Sequence, residues 1–165
     1  MHKYFVLFLV LSAATLAGCE TTIKEDAPLP PSQNVTPGST LTVVKSFLIP
    51  SGDTSVYFQD TRLYPQGDVQ PNYPFCQFVT DAATPAGEVI KAQIFTVGKV
   101  EYDEHGTGPH DMDVSVTGIH LQAASSKNAY RMNCMLPLPS QGALFVTPAE
   151  VQGAIGGYMN LKEGP

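Results

Sequence analysis

Residues 95–123 read FTVGKVEYDEHGTGPHDMDVSVTGIHLQA, and the phase of their apolar positions decides the fold. Phe95 and Val97 are odd-phased, whereas Val100 and Tyr102 are even-phased, with Gly98 at the change. Met112, Val114 and Val116 likewise give way to Ile119, Leu121 and Ala123 across Gly118. Alternation with period two marks a strand that buries one face, and a phase slip at glycine marks a β-bulge. Two long bulged strands imply a strongly coiled sheet. The expected fold is mainly β, an antiparallel sandwich or partly open barrel of about six to eight strands.

The flanking sequence extends this pattern. Leu41, Val43, Phe47 and Ile49 fall on one face of a first strand interrupted by Lys45, and Pro50-Ser51-Gly52-Asp53 ends it as a turn. A second strand from Thr54 to Gln59 sets Val56 and Phe58 on one side; a third runs from Phe75 to Thr80, and a last from Ala129 to Leu136. The tail changes period. Thr147-Pro148-Ala149-Glu150 is a capping-box pattern with proline at the first helical position, and Val151, Ile155, Tyr158 and Met159 repeat at helical spacing. One short C-terminal helix is expected on the sheet, weakened by Gly153, Gly156 and Gly157.

The N-terminus carries an address. Met1-His2-Lys3 precedes an apolar run from Tyr4 to Leu11, then small residues and Leu16-Ala17-Gly18-Cys19, the order of parts in a secretory signal. The last four residues resemble the bacterial lipobox, which implies cleavage before Cys19 and covalent lipid, such as palmitate-bearing glyceride, on its thiol. Each buried methylene contributes about 0.8 kcal/mol, so several acyl chains hold a protein on a membrane. The expected divisions are a signal peptide over 1–18, a lipidated Cys19 with a Pro-rich tether over 19–38, and a single β-rich domain over 39–165. Glu20, not Asp, after the cysteine leans the expected location to the outer membrane, facing the periplasm.

The chain has 15 Asp and Glu against 9 Lys and Arg, a formal charge of −6. An acidic chain without a basic cluster argues against nucleic acid as a partner and against electrostatic docking on anionic lipid. Of the three cysteines, Cys19 is assigned to lipid, leaving Cys76 and Cys134 as an even pair in an oxidising compartment. Cys76 alternates with Phe78, and Cys134 with Tyr130, Met132 and Leu136, so both are expected on the core face, joined by a disulfide.

Two segments carry candidate chemistry. Asp60 to Pro74 is long, rich in proline and contains Arg62, Tyr64 and Tyr73, residue types enriched at binding hot spots. The loop from Asp103 to Asp113 gathers His105, His110, Asp111 and Asp113, which suit a divalent metal by type but match no established ligand spacing. His120 stands in the polar phase of its strand. No nucleophile elbow or phosphate-cradling glycine loop is present, so no catalytic residue is assigned.

Ile49-Pro50-Ser51-Gly52, Val56-Tyr57-Phe58-Gln59-Asp60 and Pro74-Phe75-Cys76-Gln77-Phe78 together resemble a family of small, uncharacterised proteobacterial lipoproteins. The likeness is confined to these segments and implies location and a β-rich fold, with no activity. The expected function is that of a non-enzymatic, lipid-anchored envelope module, binding or structural. Its expected partners are the membrane, through the lipid, and an envelope protein or glycan at Arg62, Tyr64 and Tyr73. No cofactor is expected beyond the lipid on Cys19. The competing expectation is a small metal-dependent protein or hydrolase built on the His105–Asp113 loop.

Overall fold

The computed structural model describes residues 34–164 except 71, 125, 127 and 139–144; the signal peptide, Cys19 and most of the tether lie outside the described residues. The strands are β1 (Thr40–Val43), β2 (Phe47–Ile49), β3 (Ser55–Gln59), β4 (Arg62–Tyr64), β5 (Phe75–Thr80), β6 (Glu88–Ile90), β7 (Ile94–Thr107), β8 (Asp113–Ala123), β9 (Tyr130–Pro137) and β10 (Met159–Lys162), with one helix, α1 (Pro148–Ile155). Eight strands form one sheet in the order β10-β1-β7-β8-β9-β5-β3-β4, and β2 pairs with β6 in a separate ribbon. Every pairing is antiparallel. The large sheet curls into a half-barrel, and α1 packs against β10, β3 and β5 across its open side.

The inner face is apolar. Phe58, Phe78, Phe95, Met132, Val151, Ile155 and Met159 are fully buried there. Ring centroids lie 5.3 Å apart for Phe47 and Phe78, 5.8 Å for Phe78 and Phe95, and 5.2 Å for Phe95 and Tyr130. Cys76 and Cys134 are directly opposed on β5 and β9, with Cα atoms 4.0 Å apart, and form a buried disulfide.

Several local expectations are corrected. The first strand is two, because the chain breaks at 44–46 and hands Phe47 and Ile49 to the small ribbon, although all four apolar residues do face the core. The bulge at Gly98 is present as a register shift between Val97 and Lys99, and a second shift lies between Asp103 and Gly106. None occurs at Gly118, which pairs in unbroken register with Glu101 and Asn133. There the phase changes because β8 buries both faces: Ile119 and Leu121 point inward, while Val114 joins Tyr57, Val69, Phe75 and Met135 in a second core on the outer face. Alternation cannot show two buried faces.

At the C-terminus Thr147 and Glu150 form the expected capping box and the helix stops at Ile155. Met159 opens β10 instead of a further helical turn, since a spacing of four residues satisfies both helical and strand phases in so short a window. Val35, placed in the tether by composition, is 2% exposed and part of the core.

Candidate functional site

The segment after β3 makes the outer face eventful. Asp60 and Thr61 form the two-residue turn between β3 and β4, both with positive φ (49° and 61°), as a type I′ hairpin turn requires. A β-branched residue resists that conformation, and α1 holds it. The Thr61 backbone N–H donates to the carbonyls of Ala154 (3.0 Å) and Gly153 (3.2 Å), and Gly157 leaves room for the Thr61 carbonyl where a Cβ would collide with it.

Beyond β4 the chain returns to β5 over a buried amide. Gln59, 3% exposed, donates from Nε2 to the carbonyls of Gln70 (2.9 Å) and Tyr73 (3.1 Å), and its Oε1 accepts from the Gln70 N–H (2.8 Å). One side chain thus fastens the returning part of the loop at two residues, and Val69 inserts into the outer core. Between this loop and α1 lies a cleft of about 450 Å³ lined by Gln59, Asp60, Tyr64, Gln70, Tyr73, Pro74, Glu150, Gly153 and Ala154. Tyr73 is 64% exposed at its rim. The lining offers two tyrosines and a proline as apolar surface and two carboxylates, Asp60 and Glu150, with no basic residue. Glu150 also accepts from the Thr147 N–H and hydroxyl, which fixes its orientation.

Tyr64 and Tyr73 are therefore brought together, while Arg62 is exposed on β4 and does not line the cleft. His105, His110, Asp111 and Asp113 are all exposed along the β7–β8 hairpin tip. Among the described residues no three His, Cys, Asp or Glu side chains are placed to hold a metal ion. Met112 and Val114 of this hairpin, and not its polar residues, face the outer core.

No protein-family model, curated protein or solved structure matches this chain.

Next to the outer core runs a polar belt that crosses the sheet. Gln77 Nε2 donates to the Tyr57 hydroxyl (2.9 Å) and Ser55 Oγ (3.0 Å), and Asn133 Nδ2 donates to Gln77 Oε1 (3.5 Å). Burial pushes the Tyr57 phenol above its ordinary 10.0. Farther along, Arg131 lies across Gly118 and Glu101 collects three partners: Lys99, His120 Nε2 at 2.8 Å and Arg131 Nη2 at 3.4 Å. The belt was invisible in sequence because Glu101, His120 and Arg131 meet only through the register of three strands. His120, in the polar phase of its strand, is partly exposed on the outer face and meets Glu101 there.

Hydrogen bonds from Lys99, then from His120, lower the Glu101 carboxyl from 4.5 to about 2. A depressed folded-state value means that ionised Glu101 favours the native state above the unfolded carboxylate range and loses that contribution as pH falls through about 2. A carboxyl resonance of Glu101 followed by NMR should titrate near pH 2, below the ordinary carboxylate value of 4.5. In Glu101→Gln the additional acid sensitivity between about pH 4.5 and 2 should vanish.

Proposed function

We propose that this protein is a lipid-anchored binding module of the bacterial cell envelope, using the cleft between the 60–74 loop and α1 to hold an envelope ligand. The observation that carries the reading is the cleft itself, a concave site with aromatic walls and a few fixed polar groups, the usual character of a ligand site. Its carboxylates and lack of cations favour a neutral or positively charged occupant, a glycan or a basic protein segment, over an anion. Among the described residues no helix is long and apolar enough to cross a membrane, and in this reading attachment depends on acylated Cys19. Export agrees with the disulfide, a bond that persists in oxidising compartments.

A photo-crosslinking residue placed at Tyr73 in intact cells should give a discrete adduct with one envelope component. The same probe at His105 should not. An identical adduct pattern from both positions would remove the cleft as the binding surface. Gln59→Ala should unfasten the loop, lowering stability by about 1–3 kcal/mol through unpaired backbone groups, accelerating amide exchange at Gln70 and reducing the Tyr73 adduct. Retained adduct yield with a loosened loop would show that the ligand does not need the shaped cleft.

A further inference from the structure

Four of the six large hydrophobic residues exposed among the described residues share one surface. They are Val44, Leu48, Val89 and Ile94, each at least half exposed. Leu48 and Val89 are direct cross-strand partners on β2 and β6. Ile94 pairs with Thr42, two residues before Val44, on the β1–β7 ladder that leads into this ribbon. The inward residues of the same ribbon, Phe47, Ile49 and Ile90, already fill the core. The outer stripe is thus a second apolar face that the described fold leaves uncovered, which in a monomer needs an explanation.

Charge around the stripe departs from the chain's acidic balance. Segments 44–50 and 88–94 contain Lys91 and Lys45, both exposed, the Lys45 ammonium lying 4.5 Å over the Tyr158 ring, and one acid, Glu88. Glu88 is half-buried and accepts from the Tyr130 hydroxyl at 3.1 Å, while Asp53 follows beyond the turn. The chain as a whole has 15 acids to 9 bases. Apolar side chains flanked by lysines suit the interface of a bilayer carrying anionic headgroups, where lysine stems reach along the apolar surface and the ammonium groups meet the phosphates.

The attachment point agrees. The described chain enters at Asn34 and runs through β1 directly into Val44 and Lys45. From Cys19 to Asn34 an extended chain reaches at most about 50 Å, so lipid on Cys19 would keep the stripe at high local concentration beside the bilayer. We infer that the Val44, Leu48, Val89 and Ile94 face, with Lys45 and Lys91, rests on the membrane that carries the lipid anchor. This rests on the lipid-anchored reading above. His105 lies about 35 Å along β7 from Ile94, well away from the stripe.

The chain contains no tryptophan, so Leu48→Trp, Val89→Trp and His105→Trp each supply a lone fluorescent reporter. The chain from Cys19 onward keeps every described residue. With Cys76 and Cys134 joined, its free thiol, Cys19, can be coupled to maleimide lipid in vesicles of phosphatidylethanolamine and phosphatidylglycerol with brominated acyl chains. Emission from Leu48→Trp and Val89→Trp should shift to the blue and fall roughly twofold or more, with His105→Trp unchanged. Adding Lys45→Glu and Lys91→Glu to Leu48→Trp should restore most of the emission.

Leu48→Trp emission in vesicles equal to that in buffer overturns the inference. So does a blue shift in buffer alone that grows with protein concentration, which assigns the face to a second copy. Chemical coupling separates this test from acylation in cells, which palmitate labelling of Cys19 reads. Labelled Cys19 with an unquenched reporter keeps the anchor and removes the face; a quenched reporter without cellular label keeps the face and removes the anchor.

Discussion

Replacing Cys76 and Cys134 together by alanine should lower the free energy of unfolding by about 4 kcal/mol, the loop-closure entropy expected for cysteines 58 residues apart. The bond ties β5 to β9, neighbours in the sheet, and encloses β6, β7 and β8 in its loop. Without it the unfolded chain gains the freedom to separate two strands far apart in sequence, while the native state loses little contact because the pair is replaced by small apolar groups. Urea denaturation of the oxidised protein and of the double variant measures the difference. The midpoint should fall and the slope should rise, because an uncrosslinked denatured chain exposes more surface. Both sulfurs are buried, so reductant should act on the native protein slowly, at a rate set by opening of the sheet. Equal midpoints for the two proteins would show that the loop entropy is offset elsewhere.

This crosslink was legible in the sequence, and the reason separates what could be read from what could not. Cys76 and Cys134 each sit in a short alternating run, so parity alone sets them on the core face, and the pair left once Cys19 is set aside suggests the bond. The same parity located β5 and β9 nearly to the residue and put Val56 and Phe58 inward. It failed where a strand buries two faces: on β8 the shift of phase across Gly118 arises from a second core on the outer face, which mimics a bulge. It also passed over β4, β6 and β10, three or four residues each, too short for a periodic signal. The pairing of β10 with β1 also joins segments distant in the chain.

The site was half legible for a related reason. Loop length and residue type drew attention to 60–74, and two of its three singled-out residues, Tyr64 and Tyr73, do line the cleft. Gln59 and Glu150 could not be anticipated. A glutamine at the end of a strand has no sequence signature of a loop fastener, and Glu150 was readable only as a capping residue. Their meeting across the cleft depends on α1 docking onto the strained Asp60–Thr61 turn. The exposed stripe was hidden by the same limit, since Val44, Leu48, Val89 and Ile94 become one surface only when β1 and β2 are laid beside β7 and β6.

Phe78→Ala should destabilise the protein by about 3–5 kcal/mol, the range for truncating a buried aromatic that leaves a cavity. Phe78 is fully buried on β5, two residues from the disulfide, with Phe47, Phe95 and Tyr130 rings at centroid distances of 5.3, 5.8 and 5.6 Å. These rings come from the small ribbon, from β7 and from β9, so the side chain joins the ribbon, which backbone pairing leaves separate, to the large sheet. The disulfide prevents neither the cavity nor the loss of ring contacts, because it ties β5 to β9 only. Against a typical total of about 5–15 kcal/mol, the loss should lower the urea midpoint sharply with the slope little changed, and Phe78→Leu should recover much of it by refilling the space. The comparison with Gln59→Ala bears on function. Phe78 points away from the cleft, so folded Phe78→Ala protein should retain the Tyr73 adduct, whereas Gln59→Ala should lose adduct at a smaller cost in stability. If both variants lost adduct in proportion to their destabilisation, the cleft would follow global unfolding and Gln59 would have no separate role in shaping it.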